Sequence, residues 1–200
     1  MNDERAGVTC WCAQMCLNNP PILVENHRMQ FRDNEGLPPD TITPLITLII
    51  NFLRSIGLTV IEQPITVATV LPGISVAHGA LVVDHAAIKY PGDLLHEAGH
   101  LAIVPAVARA VLHENVGDDG GNEMGAIAWS YAALVHLRLA PSVLFHEHGY
   151  RGGADCLIEN FTQRRYIGVP MLTWRGLADA PSQSETDATG YPTMKRWLAE

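Results

Sequence analysis

The segment His96-Glu97-Ala98-Gly99-His100 is where this chain is best equipped for chemistry. Residues four apart share one face of a helix, so the two imidazoles can grip a single metal ion. Glu97 lies about 100° round from His96, within reach of a water at that metal. From Leu94 to Ala108 no other side chain is charged or carries an imidazole. Helices this apolar are usually buried, and a buried carboxylate beside two imidazoles is costly unless a cation pairs with it. With nine His in 200 residues, random order yields HExxH with a probability of roughly 0.02. The alternative is a pair of core histidines without metal.

Zinc in a catalytic site takes three protein ligands and leaves a fourth position for water. A histidine six residues beyond His100 would complete an elongated motif, but positions 103 and 106 are Ile103 and Ala106. Glu123 is a second source. It opens an otherwise apolar stretch (Met124, Gly125, Ala126, Ile127, Ala128, Trp129) after a glycine-rich loop. Asp118 and Asp119, in that loop, are a third source and read more simply as solvated turn residues.

HExxH followed on a later helix by Asn122-Glu123 resembles the gluzincin-type zinc metallopeptidases. The size, and a strand just before the metal helix, are similar to the compact ImmA/IrrE-like members. The resemblance covers roughly residues 79–140. It implies that His96, His100 and Glu123 bind Zn2+ and that Glu97 is the catalytic general base. It also implies a peptide or protein substrate, for which the strand Gly79–Asp84 would offer a pairing edge. The chain departs from the family at one place: some gluzincins carry an Asp four residues after the ligand Glu, and here that residue is Ile127. Asp84 and Asp93 are candidates to orient a ligand histidine instead, although Asp93 also suits a helix N-terminus. The rival reading is a non-catalytic metal-binding or interaction module on a zincin scaffold.

Other polar groups carry less. His146-Glu147-His148 places its two rings about 200° apart on a helix, which disfavours a joint metal site. His146 or His148, or Tyr131 or Tyr150, could steady a transition-state oxyanion. His78 and His85 flank the strand and could line a cleft, and His113 and His136 read as boundary residues. Cys10, Cys12 and Cys16 lack both the usual CxxC spacing and a clear fourth ligand. Gly152-Gly153 precedes no Lys-Ser/Thr, so it reads as a turn rather than a phosphate loop.

The composition sets bounds on these readings. The chain is 48% hydrophobic and 17% charged, enough apolar material for a core and too little charge for disorder. A net charge of -8 repels phosphate backbones and argues against nucleic-acid partners. The most apolar stretch, Ile42–Ile61, is interrupted by Pro44, Asn51 and Arg54, so no stable membrane insertion is expected. The N-terminus has no signal-type apolar core and the cysteines are not spread as a disulfide framework. Together these suggest a reducing, cytoplasmic setting.

The elements that position the motif follow from punctuation and periodicity. Residues 1–40 read as an irregular N-terminal arm and 41–200 as a single domain. Thr43–Ile56 reads as a helix capped by Thr43, with Pro44 first and Gly57 last. Leu58–Glu62, Ile65–Leu71 and Gly79–Asp84 are extended. Helices are expected from Asp93 to about Val104, and over Ala106–Glu114, Glu123–Leu139, Pro141–His148, Ala154–Arg165 and Tyr191–Glu200. Gly117–Asn122 and Ala180–Gly190 read as loops. This order predicts an α+β, zincin-like fold: a small sheet packed on the HExxH helix, with further helices behind it.

Overall fold

The first helix of the computed structural model, α1 (Pro39–Ser55), buries Leu45, Ile46, Ile49, Ile50 and Leu53, which recur at the three-four spacing of one helical face. The structure describes residues 39–113, 120–182 and 189–200; the arm, Cys10, Cys12, Cys16, Asp118 and Asp119 lie outside them, as does part of the Ala180–Gly190 loop. α1 starts four residues before the expected cap, so Pro44 is inside it. Its missing N–H falls where residues 43 and 44 are exposed and solvent can serve the orphaned carbonyl. The helix ends as expected at Gly57. With φ +96, Gly57 lets Leu58 N–H reach back to the Leu53 carbonyl at 3.1 Å, a Schellman closure.

Three short strands follow: β1 (Val60–Glu62), β2 (Ile74–Ala77) and β3 (Ala80–Val83). β3 is the central strand. It runs parallel to β1, with Val60 opposite Leu81, and antiparallel to β2, with Val76 opposite Leu81. All four of its residues are buried, as suits a strand covered on both faces. Both of its hydrogen-bonding sides are therefore taken, and the expected peptide-pairing edge at Gly79–Asp84 does not exist; the edges belong to β1 and β2. His78 and Gly79, both left-handed (φ +50 and +75), make the two-residue hairpin turn between β2 and β3. The expected extended piece Ile65–Leu71 joins the sheet only through an isolated Leu71–Ile74 bridge.

The helices after the sheet are α2 (Asp93–Ala102), the single turn α3 (Ala106–Arg109), α4 (Gly120–His136), the single turn α5 (Pro141–Leu144), α6 (Ala154–Thr162) and α7 (Val169–Trp174). α3, α5 and α6 are shorter than expected and α4 starts three residues earlier, with Gly120 and Gly121 helical despite their low propensity. α4 and α6 stop where Arg138 (φ +58) and Arg164 (φ +59) turn left-handed, and Leu139 and Arg165 close Schellman bonds behind them. α7 was not expected, and the expected terminal helix Tyr191–Glu200 is irregular chain instead.

That last segment is nevertheless part of the core. Trp129 Nε1–H donates to the Trp197 carbonyl at 2.8 Å, Tyr191 Oη–H to the Ala128 carbonyl at 2.8 Å, and Ala199 N–H to the Ala102 carbonyl at 2.9 Å. Arg109 closes the far end of α2 by donating to the carbonyls of Leu101, Val104 and Ala199. No helix among the described residues is long and apolar enough to cross a membrane. Cys156 on α6 is disulfide-bonded.

Candidate metal centre

α2 and α4 lie antiparallel, and a glycine and a serine set how closely they approach. A Cβ on Gly99 would stand 2.8 Å from the Ala126 carbonyl oxygen and 3.1 Å from Ala126 Cα. Only glycine lets the two backbones come this near. One turn along, the buried Ser130 hydroxyl lies 2.9 Å from the Leu95 carbonyl and 2.6 Å from the Ala126 carbonyl. At the other end of the contact, the same antiparallel register brings Glu123, in the first turn of α4, against His96 and His100.

The three predicted ligands converge, one donor atom from each lying within 4.8 Å of the others. His96 Nε2 and His100 Nε2 are 3.2 Å apart. Glu123 Oε1 is 3.4 Å from His96 Nε2, and Glu123 Oε2 is 3.2 Å from His100 Nε2. Among the described residues this is the one group of three His, Cys, Asp or Glu side chains whose donor atoms converge. Its two sides differ: the His100 side chain is 4% exposed and the Glu123 side chain 37%, so the cluster opens to solvent past Glu123.

Burial dominates the electrostatics. It pushes the His96 imidazole down to about 4 from an ordinary 6.5; Glu123 and Asp93 pull it up and His100 pushes it further down. His96 is thus neutral at physiological pH, with a lone pair available for a metal. Burial also raises the Glu97 carboxyl; the charges of Glu123 and Asp93 raise it further and that of His100 lowers it. For Glu123, burial works upward, but the hydrogen bond with His100 and the charges of His96 and His100 outweigh it, leaving the carboxyl below its usual value.

The remaining candidates scatter. Asp84 accepts the Ile65 and Ala86 backbone N–H groups and orients no ligand. Asp93 starts α2, and its Oδ1 lies 2.8 Å from His146 Nε2, both side chains being buried. His148 is exposed beside Glu147. Tyr131 packs among Phe145, Phe161 and Tyr166 in the core. Tyr150 alone of the four oxyanion candidates has a ring on a ligand, edge-on to His96 at 5.6 Å. His85 pairs with Glu62, His78 stacks on His113, and His136 packs on Phe52 and Trp197. Sequence reasoning missed Ser130; a lone serine among Trp129, Tyr131, Ala132 and Ala133 was the available signal. It also missed the Asp93–His146 bond, which no local spacing encodes.

No family model, curated protein or solved structure matches the chain.

Proposed function

We propose that the chain is a zinc-dependent hydrolase that cleaves peptide bonds, built on a gluzincin-like plan. The observation that carries this is the convergence of His96, His100 and Glu123. Ligands about 2.0–2.2 Å from a tetrahedral zinc ion stand about 3.3–3.6 Å from one another; here the two imidazole nitrogens are 3.2 Å apart, and each faces its own Glu123 oxygen, Oε1 for His96 and Oε2 for His100, at 3.2–3.4 Å. Two neutral imidazoles and a carboxylate suit zinc, and an arrangement of three protein ligands with a solvent-facing side is that of a catalytic site. Zinc held there supplies Lewis acidity, which polarises a carbonyl and makes water acidic near neutral pH.

The chain's residues do the rest. His96 and His100 bind from the buried wall and Glu123 from the open side. Glu97, ligating nothing, accepts a proton from the attacking water. Burial, which raises its carboxyl, makes it a better base than an exposed glutamate, and it then passes the proton to the leaving amine. An extended substrate pairs with the outer edge of β2, the edge strand that packs on α2.

Glu97→Gln tests the reading. The amide cannot take the proton, and general-base assistance is worth about 10²–10⁴-fold. The variant should keep fold and zinc while losing turnover of a panel of unfolded proteins and peptides. Equal turnover by both forms would sink the mechanism. A zinc-replete wild type that cleaves nothing would favour the non-catalytic scaffold, to which the missing carboxylate at Ile127 already points.

A further inference from the structure

Metal-binding histidines are usually oriented by a hydrogen bond from the other ring nitrogen to a carboxylate or carbonyl. Here His96 Nδ1 and His100 Nδ1 are buried and have no such partner among the described residues. Packing must orient the His96 ring instead. Among the described residues two rings meet it edge-on: His100 at 4.8 Å and Tyr150 at 5.6 Å. His100 is itself a ligand, so Tyr150 is the external support.

Tyr150 is held in turn. Its ring stands at 73° to Phe145, 5.2 Å away. Its backbone sits at φ +51, a conformation that a bulky residue keeps only where its surroundings impose it. Those surroundings converge on His146. That ring is stacked on Tyr90 at 3.9 Å and 6°. Gly149 is folded against it so closely that a Cβ would stand 3.0 Å from its Cε1. Its Nε2–H donates to Asp93 Oδ1 at 2.8 Å, tying it to the first residue of the ligand helix. Beside this bond a Cβ on Gly92 would lie 2.0 Å from the Val143 carbonyl oxygen, so the start of α2 is in close backbone contact with the chain that leads to His146.

We propose that Asp93 and His146 are positioning residues for the metal centre: their bond fixes the segment that carries Tyr150, and the Tyr150 ring fixes the orientation of ligand His96. This rests on the metal-site reading above. It assigns Tyr150 a role for its ring rather than for its hydroxyl.

Cobalt(II) titration of the metal-free protein, followed by visible absorption, tests it without a substrate. His146→Phe keeps the stack on Tyr90 but loses the donor. It should weaken cobalt affinity about 10–100-fold, as removing an orienting partner does, and change the absorption bands. His146→Gln, whose amide N–H can reach Asp93, should restore most of both. Tyr150→Leu should weaken affinity, and Tyr150→Phe should leave affinity and bands as in wild type. The Tyr150 pair creates no unpaired buried charge, so it decides the matter if His146→Phe does not fold. Folded His146→Phe and Tyr150→Leu proteins with wild-type affinity and bands would overturn this proposal and leave the metal site standing. A wild type that takes up no cobalt would overturn both.

Discussion

Gly99→Ala should lower stability and loosen the metal site, although alanine is the better helix former. In a helix interior the exchange contributes about 1 kcal/mol in alanine's favour. At this position the new Cβ would meet the Ala126 carbonyl oxygen at 2.8 Å and Ser130 Oγ at 3.0 Å. Restoring ordinary contact, which begins at 3.4 Å, requires α2 and α4 to part by about 0.6 Å. Such overpacking costs about 1–3 kcal/mol. The net loss is up to about 2 kcal/mol, or roughly 4–8 °C in Tm for a chain of this size. The larger effect falls on zinc. His96 and His100 share α2 and keep their separation, while both distances to Glu123 grow by a few tenths of an ångström, beyond the roughly 0.2 Å that a metal site tolerates. Thermal melts of the metal-free protein and competitive zinc titration measure the two effects separately. A raised Tm with unchanged zinc affinity would show that the helices are not in the close contact described.

The folded protein should carry about one zinc, lost in His96→Ala or His100→Ala and weakened in Glu123→Gln, by elemental analysis of protein purified without chelator; zinc retained in the double histidine variant would place the site elsewhere. The depressed pKa of His96 means that, as pH falls from 6.5 to about 4, the unfolded chain takes up a proton that the folded one refuses. Metal-free stability should therefore fall across that window, by up to about 3 kcal/mol, and urea midpoints of His96→Gln should lack that component. For Glu97 the sign reverses: a carboxyl raised above 4.5 costs stability once ionised, so Glu97→Gln should melt higher than wild type at pH 7 without metal. Arg109→Ala strips the donors from three carbonyls and should cost about 1–3 kcal/mol, read from denaturant midpoints; an unchanged midpoint would mean solvent serves those carbonyls equally well.

The parts of this structure legible in sequence are those whose cause is local. The HEAGH spacing, the start of α2 after Pro91-Gly92, and Gly57 as a helix end each follow from a few consecutive residues. Where the same physics used a different residue, the reading failed. The Schellman closures at Arg138 and Arg164 do for α4 and α6 what Gly57 does for α1, but arginine carries no left-handed signal. β3 is unmistakable as a strand. Its central place depends on parallel pairing with β1 across an intervening hairpin, which no pattern within either strand records. At the site, the type and face of His96, His100 and Glu97 can be read from the motif. The approach of Glu123 depends on Gly99 and Ser130 packing across two helices, and Asp93 meets His146 across 53 residues.

Both ligand-bearing helices are fastened by chain far downstream of them. Trp129 reaches Trp197 across 68 residues, and Arg109 reaches Ala199 across 90. Contacts this distant in sequence carry a large loop-closure entropy and form late. The candidate ligands therefore sit on helices whose closing contacts are non-local, unlike those of a zinc finger. If the metal is captured only once these contacts have formed, added zinc should slow unfolding of this protein far more than it speeds refolding.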